Sequence, residues 1–594
     1  MENFFKISFT RREILFLALF ILVLLGITAV PFFYAYRNAP PEFHFMGVMV
    51  NIPDHFQYFS WMRESQTRFL VPNQLTPEPS TPLLFNFLWW TLGRIERLTG
   101  LSYDTLYQIT RLLAGAFVIA ATYFFCGLVF TRHKASTGSE RITVGDQSIQ
   151  ADIWYDPKGI KRWTACLIGV LAGGFGWLWV VEKYISDRPD IQYPFDIYTS
   201  EPNTFFNILA FPHFSIAAGL ITIIFGLVLI GQRTKQLRWA WITAFTSLLL
   251  GVQHSYDMFI IYPVIALYAL FIWIADREFP WYLFKFGIIV VLISMWPALQ
   301  AFYITTADEV WRGVLAQFDN AGAWTPPPHH LPILMGFAWL LAIWGIDFRT
   351  PWRERDDTHL LVLAWFLAHF VVVYLPLNFQ IHLLSGWQVV GGVLATVAIY
   401  KRIIPLLQRI PRLKTLSTTT LGVAAAALVL LIVLPTNVYL LAWRMQDMRA
   451  AWAEYDQRTP ENRYFLRTTE VNALNFLETQ VQSDDVVLAS LDIGQFVPAL
   501  TGARSFLGHW AQTLDFYGKR DQVAQFFDAA TADAERQRIL QQYRVTYVFY
   551  SLEEAKLGSF DPGAAGYLES VYTEGDVQVF VVSPAVLAAA GGES

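Results

Sequence analysis

Cysteine is almost missing from this chain: only Cys126 and Cys166 occur among 594 residues, both inside apolar runs. So placed, they suit neither a disulfide framework nor a thiolate metal site. Charge is scarce as well. Asp, Glu, Lys and Arg make up 15% of the residues, the formal net charge is -5, and no long basic block occurs. That balance carries no nucleic-acid-binding footprint. What fills the chain is apolar: 54% of the residues are hydrophobic, with 22 Trp, 26 Tyr and 48 Phe. This is the composition of an integral membrane protein.

The first apolar run, Ile14 to Tyr34, follows Lys6, Arg11 and Arg12. A signal-peptide core is roughly 7 to 15 residues, whereas this run approaches the roughly 20 needed to span, so it reads as a retained anchor. Further spans are expected at about 106–130, 163–183, 206–231, 239–256, 258–275, 281–303, 329–347, 359–376, 383–400 and 417–442, about eleven in all. The stretch 82–99 is apolar at its start and carries Arg94, Glu96 and Arg97 at its end. It reads as an interfacial helix.

Loop charge supplies an independent check. With the amino terminus cytoplasmic, Arg132, Lys134, Arg141, Lys158, Lys161 and Arg162 fall inside, followed by Arg233, Lys235, Arg238 and Arg277. Arg349, Arg353, Arg355, Lys401, Arg402, Arg409, Arg412 and Lys414 follow on the same side, whereas the alternate loops carry Asp187, Asp190, Asp196, Glu201, Asp308, Glu309 and Asp319. The alternation obeys the positive-inside rule, and an odd span count places the carboxyl-terminal region outside the membrane.

The expected organisation is therefore a transmembrane domain over about 1–442 with a first outer loop at about 36–105, a linker at about 443–461, and a soluble extracytoplasmic domain from about 462 to 594. In that last region Val471–Glu478, Val523–Phe527 and Arg536–Leu540 have helical spacing, while Asp485–Ser490, Ser505–His509, Val545–Tyr550 and Val577–Val582 read as strands. A small α/β or α+β unit results. It shows no Gly-rich phosphate loop, nucleophile elbow or metal-ligand cluster, and is expected to bind or to cover rather than to catalyse.

The chemistry-bearing segment is Asn51-Ile-Pro-Asp-His-Phe-Gln-Tyr-Phe-Ser-Trp-Met-Arg63-Glu64, just beyond the first span. Its carboxylate Asp54, close to Tyr58 and Trp61, is placed to meet a substrate at the membrane surface. An amino-terminal anchor, a long first outer loop with an early Asp, about eleven spans and an outer carboxyl-terminal domain together resemble the GT-C superfamily of membrane glycosyltransferases. The chain looks most like the bacterial relatives of the protein mannosyltransferases and the aminoarabinose transferases.

The resemblance implies a polyprenyl-phosphate-linked sugar as donor, transfer with inversion, and catalysis by an acid of the first outer loop. Asp54 in Pro53-Asp-His-Phe-Gln-Tyr58 stands at that position; the mannosyltransferase-like pattern has Glu next, whereas His55 follows here. Inverting transfer needs a base for the acceptor hydroxyl, and the departing phosphate needs cations or donors. Asp54 is the candidate base. His55, Tyr58 and Arg63 lie in the same segment, and Arg63 and Arg68 are its nearest cations, equally readable as headgroup anchors. His213, His254, Asp257 and His382 lie at expected outer ends of spans, with Glu78 and Glu201 as further outer carboxylates.

Each of these has a structural alternative. The histidines also fit interfacial positions satisfied by water or backbone. Glu78 between two prolines fits a rigid turn, and Ser200-Glu-Pro fits a helix start. Asp257 is less easily explained so, because an ionisable group between two apolar runs needs a cavity or a partner, and His254 is nearby. Tyr58, Trp61 or Trp510 can stack on a sugar, although most Trp and Tyr here suit an interfacial belt.

The function that the resemblance implies is an inverting glycosyltransferase at the outer face of the cytoplasmic membrane, with a lipid-linked sugar donor, membrane lipids around it, and a glycan, lipid or protein as acceptor. No spacing names a metal or other cofactor. Two rival classes are a secondary transporter, for which the chain lacks paired halves, and a non-catalytic scaffold, which leaves the outer His and Asp residues without a role.

Overall fold

The computed structural model describes residues 9–131, 153–188, 190, 195–318, 323–348 and 350–588. Of the charges used above, Lys6, Arg132, Lys134, Arg141, Asp319 and Arg349 lie outside the described residues. The chain is a polytopic helical membrane protein, and a helix runs through each expected apolar stretch. Among the described residues six helices are long and apolar enough to cross a membrane, or eight if each of two bent pairs is one span. The three remaining stretches form the helices Arg238–Gly251, Leu331–Gly345 and Asp357–Val372, of 14, 15 and 16 residues. They fall short of the roughly 20 residues a straight span needs. A hydropathy window counts apolar residues whether or not the backbone is helical, and at Ser255–Asp257, for example, a 3-10 turn takes over.

The chain divides into two units. The helical unit comprises the described residues of Met1–Ala29, Thr110–Ala298 and Ala323–Trp443; the mixed unit comprises those of Val30–Ile109, Leu299–Gly322 and Arg444–Ser594.

In the helical unit, Ile160–Leu171, Leu331–Gly345, Trp387–Ala398 and Thr418–Val433 meet around a core rich in alanine, including Ala172, Ala338, Ala395, Ala398 and Ala425. Small residues let helices approach closely where the solvent is itself apolar. Three of these rods are interrupted at one level. Ile160–Leu171 and Gly176–Ile185 are bent by 51°, and Thr418–Val433 and Pro435–Ala450 by 42°. The third break is at Gly336, which has φ 72° and ψ -166°, so that an added Cβ would sit 2.3 Å from the Gly173 carbonyl oxygen. Only glycine takes that conformation cheaply.

The freed backbone groups find partners within the protein, as membrane-depth breaks require. Gly173 N–H donates to the Val433 carbonyl (2.9 Å) and Phe175 N–H to that of Ile333 (2.8 Å). Thr436 donates to the Gly174 carbonyl (2.9 Å), Asn437 to that of Leu171 (2.7 Å), and Gln388 to that of Ala172. Asp196 accepts the Gly176 N–H at 2.8 Å.

The mixed unit holds two sheets. Strand β1 (Phe43–Phe45) pairs antiparallel with β2 (Phe465–Arg467). The second sheet contains β3 (Val486–Leu488), β4 (Arg504–Ser505), β5 (Val545–Tyr550), β6 (Leu568–Glu574) and β7 (Val577–Val582), in the order β4-β3-β5-β7-β6. The pairs β3–β4 and β3–β5 are parallel, whereas β5–β7 and β6–β7 are antiparallel. The helices Phe516–Phe527 and Asp533–Gln542 contribute Val523, Phe526, Ile539 and Leu540 to its core.

Residues 443–461, expected as a linker, begin in a helix and hold ion pairs. The helix Pro435–Ala450 runs into them, and Asp447 joins Arg444 (3.1 Å) and Arg458 (3.2 Å). Within the expected interfacial stretch, the helix is Phe87–Thr99, capped by the Asn86 side chain. It packs so closely on Ile52–Ser65 that a Cβ at Gly93 would lie 2.1 Å from the Met62 carbonyl oxygen.

Candidate active site

The helix Ile52–Ser65 begins at Asn51, whose backbone is left-handed (φ 49°), with Pro53 and Asp54 in its first turn. A carboxylate there is favoured by the helix dipole. Residues 54, 58 and 61 follow one another at helical spacing, and Asp54, Tyr58 and Trp61 are all half-buried, whereas Phe56, Phe59 and Met62 are buried. The open face of the helix is thus one acid followed by two aromatic rings. Tyr58 is stacked against Trp89 at 4.8 Å and tilted against Trp61 at 5.5 Å.

Asp54 is held on both oxygens. The Asn51 amide donates to Oδ2, and His509 Nε2 lies 2.9 Å from Oδ1. His509 Nδ1 accepts the Ala511 N–H at 2.9 Å, so the ring proton sits on Nε2 and is donated to Asp54. The His509 turn is fixed in its turn by Thr513, whose hydroxyl accepts the N–H groups of Gly508 and His509 (both 3.0 Å) and donates to the Leu75 carbonyl (2.7 Å). His509 is 1% exposed and the Asp54 side chain 27%.

Burial alone pushes the Asp54 carboxyl up. His509, and after it His55 and Asn51, outweigh burial and hold the group below the ordinary carboxylate value of 3.8. Asp54 is therefore an anion at neutral pH.

The other candidates of this unit sit as follows. His55 is buried, with Nδ1 on the Asn51 carbonyl (2.9 Å) and Nε2 on the Tyr107 hydroxyl (3.0 Å). It braces the Asn51 turn. Arg63 pairs with Glu478 (2.9 Å) and donates to the Leu500 carbonyl (3.0 Å), and Arg68 pairs with Glu64 at 3.3 Å. Glu78 pairs with the buried Lys519 at 2.7 Å and accepts from Thr76. Trp510 is stacked beside His509 at 5.5 Å.

The helical unit gathers its five candidates into one cluster. His382 Nδ1 pairs with Glu201, which also accepts from the Ser200 hydroxyl at 3.2 Å. Tyr256 stacks on His382 at 4.9 Å, and its hydroxyl lies 3.2 Å from His254 Nδ1. The same nitrogen is 3.5 Å from Asp257 Oδ2. His213 and His254 meet edge to face at 5.4 Å, and Gln253 donates to the His213 carbonyl at 2.9 Å. Glu201, His213, His254 and Asp257 are buried, and His382, at 23% exposure, is the open edge. Among the described residues no group of three or more His, Cys, Asp or Glu side chains is arranged to hold a metal ion.

Sequence reasoning missed His509, Asn51 and Tyr256. Tyr256 lies between the candidates His254 and Asp257 in the sequence, and its ring joins the two halves of the cluster. His509 had a weaker signal: it ends the expected strand Ser505–His509 and precedes Trp510. Its domain does more than cover: it supplies the histidine that holds the candidate base.

The structure is similar to the oligosaccharyltransferase of Archaeoglobus fulgidus in its apo form, with TM-score 0.51 and 12% identity over 93% of this chain and 73% of that one. ArnT from Cupriavidus metallidurans bound to undecaprenyl phosphate aligns with TM-score 0.48 and 12% identity over 97% and 99% of the two chains. The arabinofuranosyltransferase AftD from Mycobacteria aligns with TM-score 0.49 and 13% identity over 97% of this chain and 42% of that one. No family model and no curated protein matches the chain. The fold is thus shared with the Archaeoglobus oligosaccharyltransferase.

Proposed function

We propose that this protein is an inverting glycosyltransferase that moves a sugar from a polyprenyl-phosphate donor to an acceptor at the outer face of the cytoplasmic membrane, with Asp54 as base. The observation that carries this reading is the Asp54 carboxylate itself: anionic, hydrogen-bonded on both oxygens by Asn51 and His509, and half-open at the head of an aromatic helix face. A solvated loop acid needs no such bracing. The amino terminus is assigned to the cytoplasm and the carboxyl-terminal domain to the outside on the loop charges.

In the reaction the acceptor oxygen bonds to the anomeric carbon as the bond from that carbon to the phosphate oxygen breaks. The electron pair leaves with polyprenyl phosphate, and the acceptor proton passes to Asp54. A carboxylate held below 3.8 is a weak base. It takes the proton late, once the acceptor oxygen has become acidic by bonding, and before that it orients the hydroxyl. Tyr58 and Trp61 offer the apolar ring surface that sugars stack on. In the helical unit, His382 backed by Glu201 is a candidate contact for an anionic phosphate, with His254, Asp257 and His213 in the same cluster. Arg63, Glu78 and His55 act as positioning residues.

The test is transfer by the purified full chain from a panel of polyprenyl-phosphate sugars, run beside Asp54→Asn. Transfer abolished by the substitution supports the reading. Transfer that the substitution leaves unchanged refutes the role of Asp54, and no transfer from any donor favours the scaffold.

A further inference from the structure

At the end of the helical unit assigned to the cytoplasm, two cavities share one arginine. The first, about 560 Å³, is lined by Lys158, Lys161, Lys401 and Arg402 together with Asp156 and Asp347. The second, about 420 Å³, is walled by Leu340, Ile343, Trp344 and Phe348, with Arg402 again at its edge. Polar and apolar compartments joined at a cation are the shape of an amphiphile.

Among the described residues four cations line the first cavity against two carboxylates, and Lys161 also donates to the carbonyls of Ile153 (2.7 Å) and Tyr155 (2.9 Å). Asp156 is spent on the backbone, accepting the Ile160 and Arg162 N–H groups, both at 3.0 Å. Asp347 accepts from the Thr350 hydroxyl (2.8 Å) and pairs with Lys401 at 3.4 Å. Arg402 Nε is buried with no hydrogen-bond partner among the described residues. A buried unpaired guanidinium donor is costly unless something accepts from it.

The backbone explains why these cations stand together. Pro405 has no N–H to give the Lys401 carbonyl, so the α-helical ladder of Trp387–Ala398 cannot simply continue. Ile399–Ile403 widens into a π turn instead, a distortion frequent at functional sites. Tyr400, Lys401 and Arg402 all line the same cavity, which consecutive residues of a regular helix do not do. Thr418 and Thr419, in the first turn of Thr418–Val433, line it too and turn the positive end of a helix dipole toward it.

We propose that these paired cavities bind an anionic membrane phospholipid of the inner leaflet. Its phosphate headgroup lies among Lys158, Lys161, Lys401 and Arg402, and one acyl chain lies along Leu340, Ile343, Trp344 and Phe348. A soluble phosphate has the same headgroup chemistry but no use for the apolar groove, where Phe348 is 74% exposed and Trp344 45%. Basic pockets between membrane helices on this side suit acidic headgroups.

The test is native mass spectrometry and thermal melting of the full chain in detergent, with phosphatidylglycerol, phosphatidylcholine or inorganic phosphate added. The variants are Arg402→Ala, Lys158→Ala and, as an exposed cation outside both cavities, Arg409→Ala. Wild type and Arg409→Ala should retain one phosphatidylglycerol and melt higher with it, whereas Arg402→Ala and Lys158→Ala should each weaken retention by about fivefold to tenfold. Arg402→Lys should retain more than Arg402→Ala, which separates lost binding from lost folding. Equal retention of phosphatidylcholine, equal protection by inorganic phosphate, or equal weakening in Arg409→Ala would each overturn the proposal.

Discussion

Asp54 and His509 are hydrogen-bonded at 2.9 Å although 455 residues separate them in the chain. The histidine donates from Nε2 because its other nitrogen accepts the Ala511 N–H, so the contact favours the ionised carboxylate over the protonated one. Replacing Asp54 with Asn keeps an oxygen for His509 and removes the base. Transfer from the donor is expected to fall by about 10²- to 10⁴-fold with an unchanged melting temperature, measured on the same preparation.

Removing the histidine acts on the pH profile. Burial raises the Asp54 carboxyl and His509 lowers it, so His509→Ala leaves the raising effect less opposed and moves the acid limb of the rate toward higher pH. Rates between pH 4 and 8 measure this. An acid limb that stays in place would show that Asp54 does not titrate in the reaction.

His382 is the open edge of its cluster and Glu201 its partner. His382→Ala is expected to lower transfer by about 10- to 100-fold, with a smaller loss in Glu201→Gln, since the glutamate acts through the histidine. Steady-state kinetics against donor concentration separates lost turnover from lost donor affinity.

Gly93→Ala would drive a methyl group to within 2.1 Å of the Met62 carbonyl oxygen. The helices Phe87–Thr99 and Ile52–Ser65 must then separate, at a cost of about 1–3 kcal/mol. Thermal melting reports the loss. Transfer should fall as well, since Asp54 rides on the displaced helix.

Glu470 tests pH dependence of stability. Burial, only partly offset by the Tyr455 hydroxyl and the Arg467 N–H, raises its carboxyl to about 7 from 4.5. A carboxyl raised in the folded state contributes stability below pH 4.5 that is lost as pH rises through about 7. Glu470→Gln should therefore narrow the difference between melting temperatures at pH 5 and pH 8. An unchanged difference would remove Glu470 as the titrating group.

The helices were legible because long apolar runs leave few alternatives in a membrane, and Asp54 was legible because a polar, aromatic segment beyond an anchor is conspicuous. The strands β3, β5 and β7 were legible as apolar runs. Strand β6 was not: Leu568-Glu-Ser-Val-Tyr-Thr-Glu574 is an edge with mostly exposed side chains, and its pairing with β7 is written in backbone rather than in hydropathy. The helix break at Gly336 was hidden for the same reason, since the surrounding Leu331–Gly345 segment is apolar throughout. His509 was hidden by distance, because one sequence records spacing along the chain and not which remote turn folds back onto a helix. Lys519 beneath Glu78 is a similar case.

The pairing of β1 with β2 joins Phe45 to Phe465, and this sets a timetable for the chain's birth. At ribosomal speeds of about 5–20 residues per second, β1 is made about 20 to 80 seconds before its partner strand exists. Through that interval its edge is an open template, and the turn that will hold Asp54 has not been synthesised. A message cut short after the last membrane helix would thus yield a protein that is inserted yet lacks the histidine for its carboxylate. Completion of the candidate active site is tied to synthesis of the segment that carries His509.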